Sequence, residues 1–330
     1  MTVTGPHSGT VKVNGIDIYY EVHGSGEPLL MIEGLGYSAW MWYKQIPAFS
    51  RRYQVILFDN RGAGNTDKPD TEYSTEIMAD DASGLLRTLG IGPVHVLGIS
   101  LGGFIAQELA LRHPDLVKSL VLVSTNSGPG QRVMRNSQHL NGLFKLWGIL
   151  PGTFEMGGKA SAPFGFEYGL TKEERIRYGL SLAFTPEYFE GHPDEIDRIV
   201  SWRLDNPQPG YAWRRQLTAG MNFDSSGRAE GIDAPALVIN GSEDRIVTPE
   251  SVRELARRIP DSRYIEIGGS GHLLFIERSD EFNETVMGFL DEMRVKNNSL
   301  AGSRGDPAWW KKIVSFLSGR YSKNGSANTN

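Results

Sequence analysis

The chain has 330 residues, of which 39% are hydrophobic and 22% charged, a composition typical of a globular protein with its own core. It contains no cysteine, which excludes disulfides, thiolate metal sites and a cysteine nucleophile. The formal net charge of −5 argues against a nucleic-acid-binding protein, because it provides no basic field across the body of the chain.

Targeting signals are not visible in the sequence. No run of about 18 apolar residues occurs, so we expect no membrane-spanning helix. Residues 1–8 lack both the basic and the apolar part of a secretory signal. We therefore expect a cytoplasmic protein.

Short apolar segments alternate with helix-length segments over most of the chain. Asn14-Gly15 lies between two strand-like segments, residues 11–13 and 16–22, and predicts a hairpin. Further strands are predicted at 29–32, 54–58, 94–97, 120–123, 236–239 and 264–267, and helices at 77–89, 101–112, 249–258 and 280–294. Wholly apolar strands separated by helices predict an α/β fold, with a mostly parallel sheet covered by helices on both faces.

Residues 127–231 interrupt this alternation, because they are rich in Trp, Phe, Tyr and Arg and lack short apolar strands. We predict that they form a helical lid inserted into the core domain. Beyond residue 296 the chain carries five basic residues and one acidic residue, and it fits a short amphipathic helix. That helix would bind a membrane surface, the body of the protein or another subunit. The predicted organisation is core 1–126, lid 127–231, core 232–296 and basic tail 297–330.

A Gly-x-Ser-x-Gly motif, Gly98-Ile-Ser100-Leu-Gly102, follows a predicted strand and begins a predicted helix. A serine on such a sharp turn is exposed above the sheet, where it can act as a nucleophile. The glycines make room for the turn, because a Cβ at either position would collide across it. The motif therefore makes Ser100 the candidate nucleophile.

A serine hydroxyl needs a base to remove its proton and an acid to orient that base. His272 lies in a glycine-rich loop after the strand at 264–267, at the edge of the sheet where α/β sites collect. Asp244 lies in the turn after the strand at 236–239, and the adjacent Glu243 is the alternative acid. The predicted catalytic residues are Ser100, Asp244 and His272.

Two backbone N–H groups are candidates for an oxyanion hole. Leu101 begins the helix after the motif serine, and Leu35 lies in Gly34-Leu-Gly36 after another buried strand. Each donor of this kind contributes on the order of 10²–10³ in rate.

These motifs together resemble the α/β-hydrolase superfamily, in particular its carboxylesterases and 3-oxoadipate enol-lactonase-like enzymes. The resemblance covers roughly residues 11–294 and implies the α/β-hydrolase fold with an eight-stranded sheet, nucleophile Ser100, acid Asp244, base His272 and oxyanion amides of Leu35 and Leu101. Its motifs occupy residues 34–36, 58–64, 98–103, 238–244 and 271–272.

One position departs from the family pattern. Relatives commonly have a His-Gly pair after the third strand, whereas this chain has Glu33-Gly34. A buried carboxylate needs a partner. We expect Glu33 to pair with Arg61 or with another nearby donor, or else to project into solvent or the cleft.

The expected function is that of a serine hydrolase, a carboxylesterase or lactonase, acting on a small-molecule ester or lactone through an acyl-enzyme. Aromatic side chains provide the candidate substrate pocket, in particular Trp42, Trp147, Phe164 and Trp202. No cofactor and no metal are expected, and the sequence leaves the oligomeric state open. Three alternatives remain: a C–C bond hydrolase, an acyltransferase with the same triad, and a non-catalytic binding protein on this fold.

Overall fold

The computed structural model describes residues 7–128, 171–206 and 208–300, with side chains described as far as residue 295. The chain divides into two compact units, Met1–Gly288 and Phe289–Asn330. Trp147, Phe164 and residues 301–330 of the predicted basic tail lie outside the described residues. The predicted domain boundaries stay predictions.

Eight strands of the first unit form one sheet in the order β1-β2-β4-β3-β5-β6-β7-β8. They are β1 His7–Val13, β2 Ile16–His23, β3 Glu27–Ile32, β4 Tyr53–Phe58, β5 Val94–Ile99, β6 Val117–Val123, β7 Ala236–Gly241 and β8 Ser262–Ile267. β2 runs antiparallel to β1 and β4, and all other neighbours are parallel. The predicted mostly parallel eight-stranded sheet is confirmed.

Helices connect most of these strands from β3 onwards, and two follow β8. In the described part of the chain they are α1 Ile46–Phe49, α2 Thr75–Leu89, α3 Leu101–Arg112, α4 Lys172–Ala183, α5 Pro186–Gly191, α6 Pro193–Asp205, α7 Gly210–Asn222, α8 Pro249–Arg258, α9 Leu274–Glu277 and α10 Ser279–Leu300. Helices α4 to α7 lie between β6 and β7 in the sequence, within the predicted lid.

Burial explains why the central strand segments are mostly apolar. Every residue of β5 and β7 is buried, because helices cover both faces of the central sheet. The hairpin at the edge is different: along β1, partly buried residues alternate with exposed ones. Its turn takes Asn14 and Gly15 through positive φ angles of 48° and 80°, as a two-residue hairpin requires.

The parallel register aligns the carboxyl ends of the central strands. Ile32 lies opposite Gly98, Ile99 opposite Val123, and Val123 opposite Ile239. The loops that follow these strands therefore meet at one edge of the sheet. In the part of the chain that the structure describes, no helix is both long and apolar enough to cross a membrane.

Candidate active site

Ser100 lies at the turn between β5 and α3 with φ 53° and ψ −118°, a backbone conformation that non-glycine residues rarely adopt. Its N–H donates to the carbonyl of Val123 over 3.0 Å, which fixes the turn against β6. A Cβ on Gly98 would overlap the carbonyl oxygen of Gly102, and a Cβ on Gly102 would overlap that of Ile32. Both glycines are therefore needed for the serine to take this position.

His272 and Asp244 form a hydrogen-bonded pair at the same edge of the sheet. The Nδ1–H of His272 donates to Oδ2 of Asp244 over 2.9 Å, because a carboxylate can only accept. Oδ1 of Asp244 accepts the backbone N–H groups of Ile246 and Val247 at 2.8 and 2.9 Å. Both partners are more than 90% buried. This arrangement fixes the imidazole tautomer, so that Nε2 is the nitrogen left to accept a proton.

Glu243, the alternative acid, is placed differently. Its side chain is exposed, whereas that of Asp244 is buried against His272. The two residues are adjacent, and the turn after β7 directs only Asp244 to the imidazole. Among the sequence-predicted acids, the structure therefore brings Asp244 and not Glu243 to the histidine.

The loop after β3 lies against Ser100. A Cβ built on Gly34 would be 3.5 Å from Cβ of Ser100, so the loop with Leu35 borders the serine directly. Leu101 is the first residue of α3, where an N–H group has no acceptor within the helix. Both predicted oxyanion donors thus belong to segments that adjoin Ser100.

Gln216 of helix α7 supports this loop, and sequence reasoning missed it. Its Oε1 accepts the N–H of Gly36 at 3.2 Å, and its Nε2 donates to the carbonyl of Arg61 at 2.8 Å. The side chain is 1% exposed. No local pattern could have indicated that Gln216 supports this loop, because Gly36 and Arg61 lie 180 and 155 residues away from it in the chain.

Glu33 is completely buried and does not pair with Arg61. Its Oε1 accepts the N–H of Asn60 at 2.5 Å, and its Oε2 has no hydrogen-bond partner within the described part of the structure. Burial, together with the nearby Asp59, raises the pKa of Glu33 well above its usual range. Glu33 therefore joins the end of β3 to the end of β4 through the N–H of Asn60, and its raised pKa favours the neutral, protonated form.

Arg61 binds Asp81 instead, which corrects the expected pairing. Its Nε and Nη2 donate to the two carboxylate oxygens of Asp81 at 2.7 and 2.9 Å. Both side chains are buried, and the contact is a bidentate pair in which two parallel N–H groups of the guanidinium meet the two carboxylate oxygens. The expectation of another nearby donor is met by the N–H of Asn60. The alternative, a Glu33 that projects into solvent or the cleft, is wrong because the side chain has no exposed surface.

The Glu33→Gln variant should become more stable than wild type as the pH rises. The folded chain binds the Glu33 proton more tightly than the unfolded chain, so wild-type stability falls once the pH exceeds the unfolded pKa of about 4.3. Glu33→Gln removes this loss. We expect its Tm advantage over wild type to grow between about pH 4.5 and pH 7.

Thermal unfolding at several pH values measures this effect. Glu190→Gln, which replaces an exposed carboxylate on α5, is the matched control and should show no growing advantage. A Tm difference between Glu33→Gln and wild type that is constant with pH would contradict a neutral Glu33.

The aromatic pocket candidates have different environments. Trp42 is completely buried and packs on Phe275, with ring centroids 5.0 Å apart, so it lies in the core and not on an open surface. Trp202 of α6 is half-buried and contacts Trp40 and Tyr43, with centroids 5.5 and 5.0 Å apart. Trp147 and Phe164 lie outside the described residues.

A cation also lies beside the loop after β3. The guanidinium of Arg203 stacks over the ring of Tyr37 at 4.5 Å from its centroid. A Cβ on Gly36 would come within 3.0 Å of Nη2 of Arg203 and of Nε1 of Trp213. Helices α6 and α7 therefore pack closely on this loop.

A second serine, histidine and carboxylate set lies at the opposite edge of the sheet. Nδ1 of His95 is 2.8 Å from Oγ of Ser119, and its Nε2 is 3.0 Å from Oε2 of Glu27. His95 and Ser119 have no exposed surface, and burial lowers the pKa of His95. No substrate can reach Ser119, so this set is structural despite its triad-like contacts.

Comparison with known proteins agrees with this architecture. The family model described as alpha/beta hydrolase fold matches residues 27–279. The chain belongs to the α/β-hydrolase fold family.

Individual relatives of this α/β-hydrolase carry different names. A Mycobacterium tuberculosis protein named non-heme bromoperoxidase BpoC is 31% identical over 85% of this chain and all of its own length. An Azorhizobium caulinodans protein named carbamate hydrolase RutD is 29% identical, over 84% of this chain and 96% of its own. The crystal structure of the Burkholderia xenovorans enol-lactonase matches with a TM-score of 0.69 and 29% identity, covering 86% of this chain and all of that one. These matches support a hydrolase of this fold.

Proposed function

We propose that this α/β-hydrolase cleaves carboxylic esters or lactones through an acyl-enzyme on Ser100. The observation that carries the proposal is the buried Asp244–His272 pair, held at the sheet edge where β5 ends in the strained Ser100 turn. The chain order serine, aspartate, histidine is the order expected for this fold.

The first half of the reaction acylates the serine. Oγ of Ser100 attacks the carbonyl carbon while its proton moves to Nε2 of His272, and the carbonyl π electrons move onto oxygen. The N–H groups of Leu35 and Leu101 stabilise that oxyanion. When the carbonyl re-forms, the C–O bond to the leaving alcohol breaks, and the alcohol takes the proton from Nε2.

The second half releases the acid. A water molecule gives a proton to Nε2 of His272 and attacks the acyl carbon, and the same amides stabilise the second oxyanion. Collapse of this intermediate expels Ser100, which takes the proton back. With a lactone the leaving alcohol stays attached to the acyl group, so the single product is a hydroxy acid.

The predicted lid would shape the substrate site. Helices α6 and α7 contact the Gly34–Gly36 loop through Arg203, Trp213 and Gln216, which supports a role of residues 127–231 in substrate selection. Among the relatives, one is named an enol-lactonase and another a carbamate hydrolase. Lactones and carbamates both have a carbonyl carbon that bears a heteroatom leaving group.

Covalent labelling tests the proposal. A fluorophosphonate probe should modify the wild-type chain once, and mass spectrometry of its peptides should locate the adduct on Ser100. The Ser100→Ala variant should remain unlabelled, and wild type should hydrolyse p-nitrophenyl acetate. Absence of both labelling and turnover in wild type would favour the non-catalytic alternative, while labelling without ester turnover would favour the C–C hydrolase or the acyltransferase.

A further inference from the structure

Glu277 of helix α9 links the loop of His272 to the predicted lid. Its Oε1 accepts both the N–H and the hydroxyl of Thr185, at 2.6 and 2.8 Å. Its Oε2 accepts the N–H of Gly271, the residue immediately before His272, in a short hydrogen bond. One carboxylate therefore holds the start of α5 and the backbone next to the proposed base.

Thr185 is suited to this contact because it caps α5. While its hydroxyl donates to Glu277, its oxygen accepts the N–H of Tyr188 at 3.2 Å. The residue is 6% exposed. The hydrogen bonds of Thr185 to Glu277 are therefore shielded from competing water, which strengthens them relative to surface contacts.

Three further hydrogen bonds hold residues 181–185, here called the lid junction, against the loops of both His272 and Asp244. The N–H of Leu273, immediately after His272, donates to the carbonyl of Ala183 at 3.2 Å. Arg245, the neighbour of Asp244, donates from Nη2 to the carbonyls of Ser181 and Phe184 at 2.6 and 2.7 Å. The lid junction thus binds the backbone after His272 and a side chain next to Asp244 directly, and it is linked to the backbone before His272 through Glu277.

The absence of a side chain at residue 271 permits this approach. A Cβ on Gly271 would come within 2.7 Å of the carbonyl oxygen of Ala183 and 3.1 Å of the carbonyl carbon of Phe184. Gly271 therefore allows the histidine loop to lie directly on the lid junction.

We infer that Glu277 is a positioning residue that fixes His272 against the lid junction, so that the lid junction supports the proposed triad. The inference rests on the proposed function. Hydrogen bonds to Gly271 and Leu273 fix the chain on both sides of His272, and the bond to Asp244 fixes the ring. A catalytic group displaced by about 1 Å loses rate by roughly 10²-fold, so backbone restraints at this point affect kcat.

Glu277→Gln tests the inference with little change in size. The amide can keep one acceptor, but its NH₂ group must then face an N–H of Thr185 or Gly271. We expect kcat to fall roughly 10- to 100-fold with KM nearly unchanged, and the rate of fluorophosphonate inactivation to fall in proportion. Glu281→Gln, an exposed carboxylate four residues along the chain, is the control and should match wild type.

Two substitutions at Thr185 test the same contact from the side of the lid junction. They provide the test of the inference if Glu277→Gln does not fold. Thr185→Val removes the hydroxyl at constant shape and should lower kcat in the same direction. Thr185→Ser keeps the hydroxyl and should retain the wild-type kcat. A folded Glu277→Gln or Thr185→Val variant with wild-type kcat and inactivation rate would overturn the inference.

Proton NMR separates this inference from the proposed function. The imidazole Nδ1 proton shared between His272 and Asp244 should give a downfield resonance in wild type that broadens by faster exchange in Glu277→Gln. An unchanged resonance in a folded variant would count against a positioning role. This readout needs no turnover, so a wild type that resists labelling would end the proposed function while leaving the test of Glu277 intact.

Discussion

Replacing Ser100 with alanine is expected to lower kcat on an activated ester by roughly 10⁶-fold, the loss seen when a triad serine is removed from a protease. That factor corresponds to about 8 kcal/mol of barrier. The loss is large because the oxyanion amides and the His272–Asp244 pair act on an intermediate that forms only after Oγ has attacked. Steady-state kinetics with p-nitrophenyl acetate measures this fall in kcat. The uncatalysed hydrolysis of the ester sets the lowest rate that can be detected.

Ser124 provides a matched control for this substitution. It lies at the end of β6, is completely buried and has the same kind of backbone, with φ 44°. Its hydroxyl has no hydrogen-bond partner within the described chain, so Ser124→Ala should leave kcat near the wild-type value. Turnover that survives in Ser100→Ala would contradict the proposed mechanism.

Replacing Asp244 with asparagine is expected to lower kcat by about 10⁴-fold without unfolding the protein. The amide oxygen can still accept the N–H groups of Ile246 and Val247, so the turn after β7 is retained. The amide NH₂ then faces Nδ1 of His272, which places the imidazole proton on Nε2. In this tautomer Nε2 cannot accept the proton of Ser100.

Glu243→Gln is the control for this prediction, because Glu243 is the exposed neighbour of Asp244. Its kcat and KM should equal those of wild type, and both variants should give the same circular dichroism spectrum. A strong loss in Glu243→Gln with a normal Asp244→Asn would assign the acid to Glu243 and reject the proposed triad.

The strands and the strand-to-helix turn could be predicted because their determinants are local. The run predicted at 94–97 became β5 Val94–Ile99, and the helix predicted at 101–112 has those same bounds. A strand buried on both faces must be apolar along its length, and a positive-φ hairpin turn selects Asn-Gly. Both are visible in a few consecutive residues.

The partners of buried polar groups could not be predicted in the same way. Arg61 was the donor named for Glu33 but binds Asp81, and the other nearby donor that Glu33 meets is the backbone N–H of Asn60. Trp42 is aromatic and close in sequence to the Gly34–Gly36 loop, yet it packs into the core on Phe275. Which of several nearby donors a buried group meets depends on how the layers pack, and residue type alone does not decide it.

The sequence by itself determined the α/β class, the Gly-x-Ser-x-Gly turn and the strand-end candidates Ser100, Asp244 and His272, because each depends on short-range backbone geometry and on burial of adjacent residues. Only the tertiary structure decided between Asp244 and Glu243 as the partner of His272, and only it brought Gln216 to Gly36 and Glu277 to Thr185. The last two contacts join residues 180 and 92 positions apart. Hydrogen bonds over such separations leave no local pattern, because their geometry exists only once the helices between β6 and β7 have packed on the sheet.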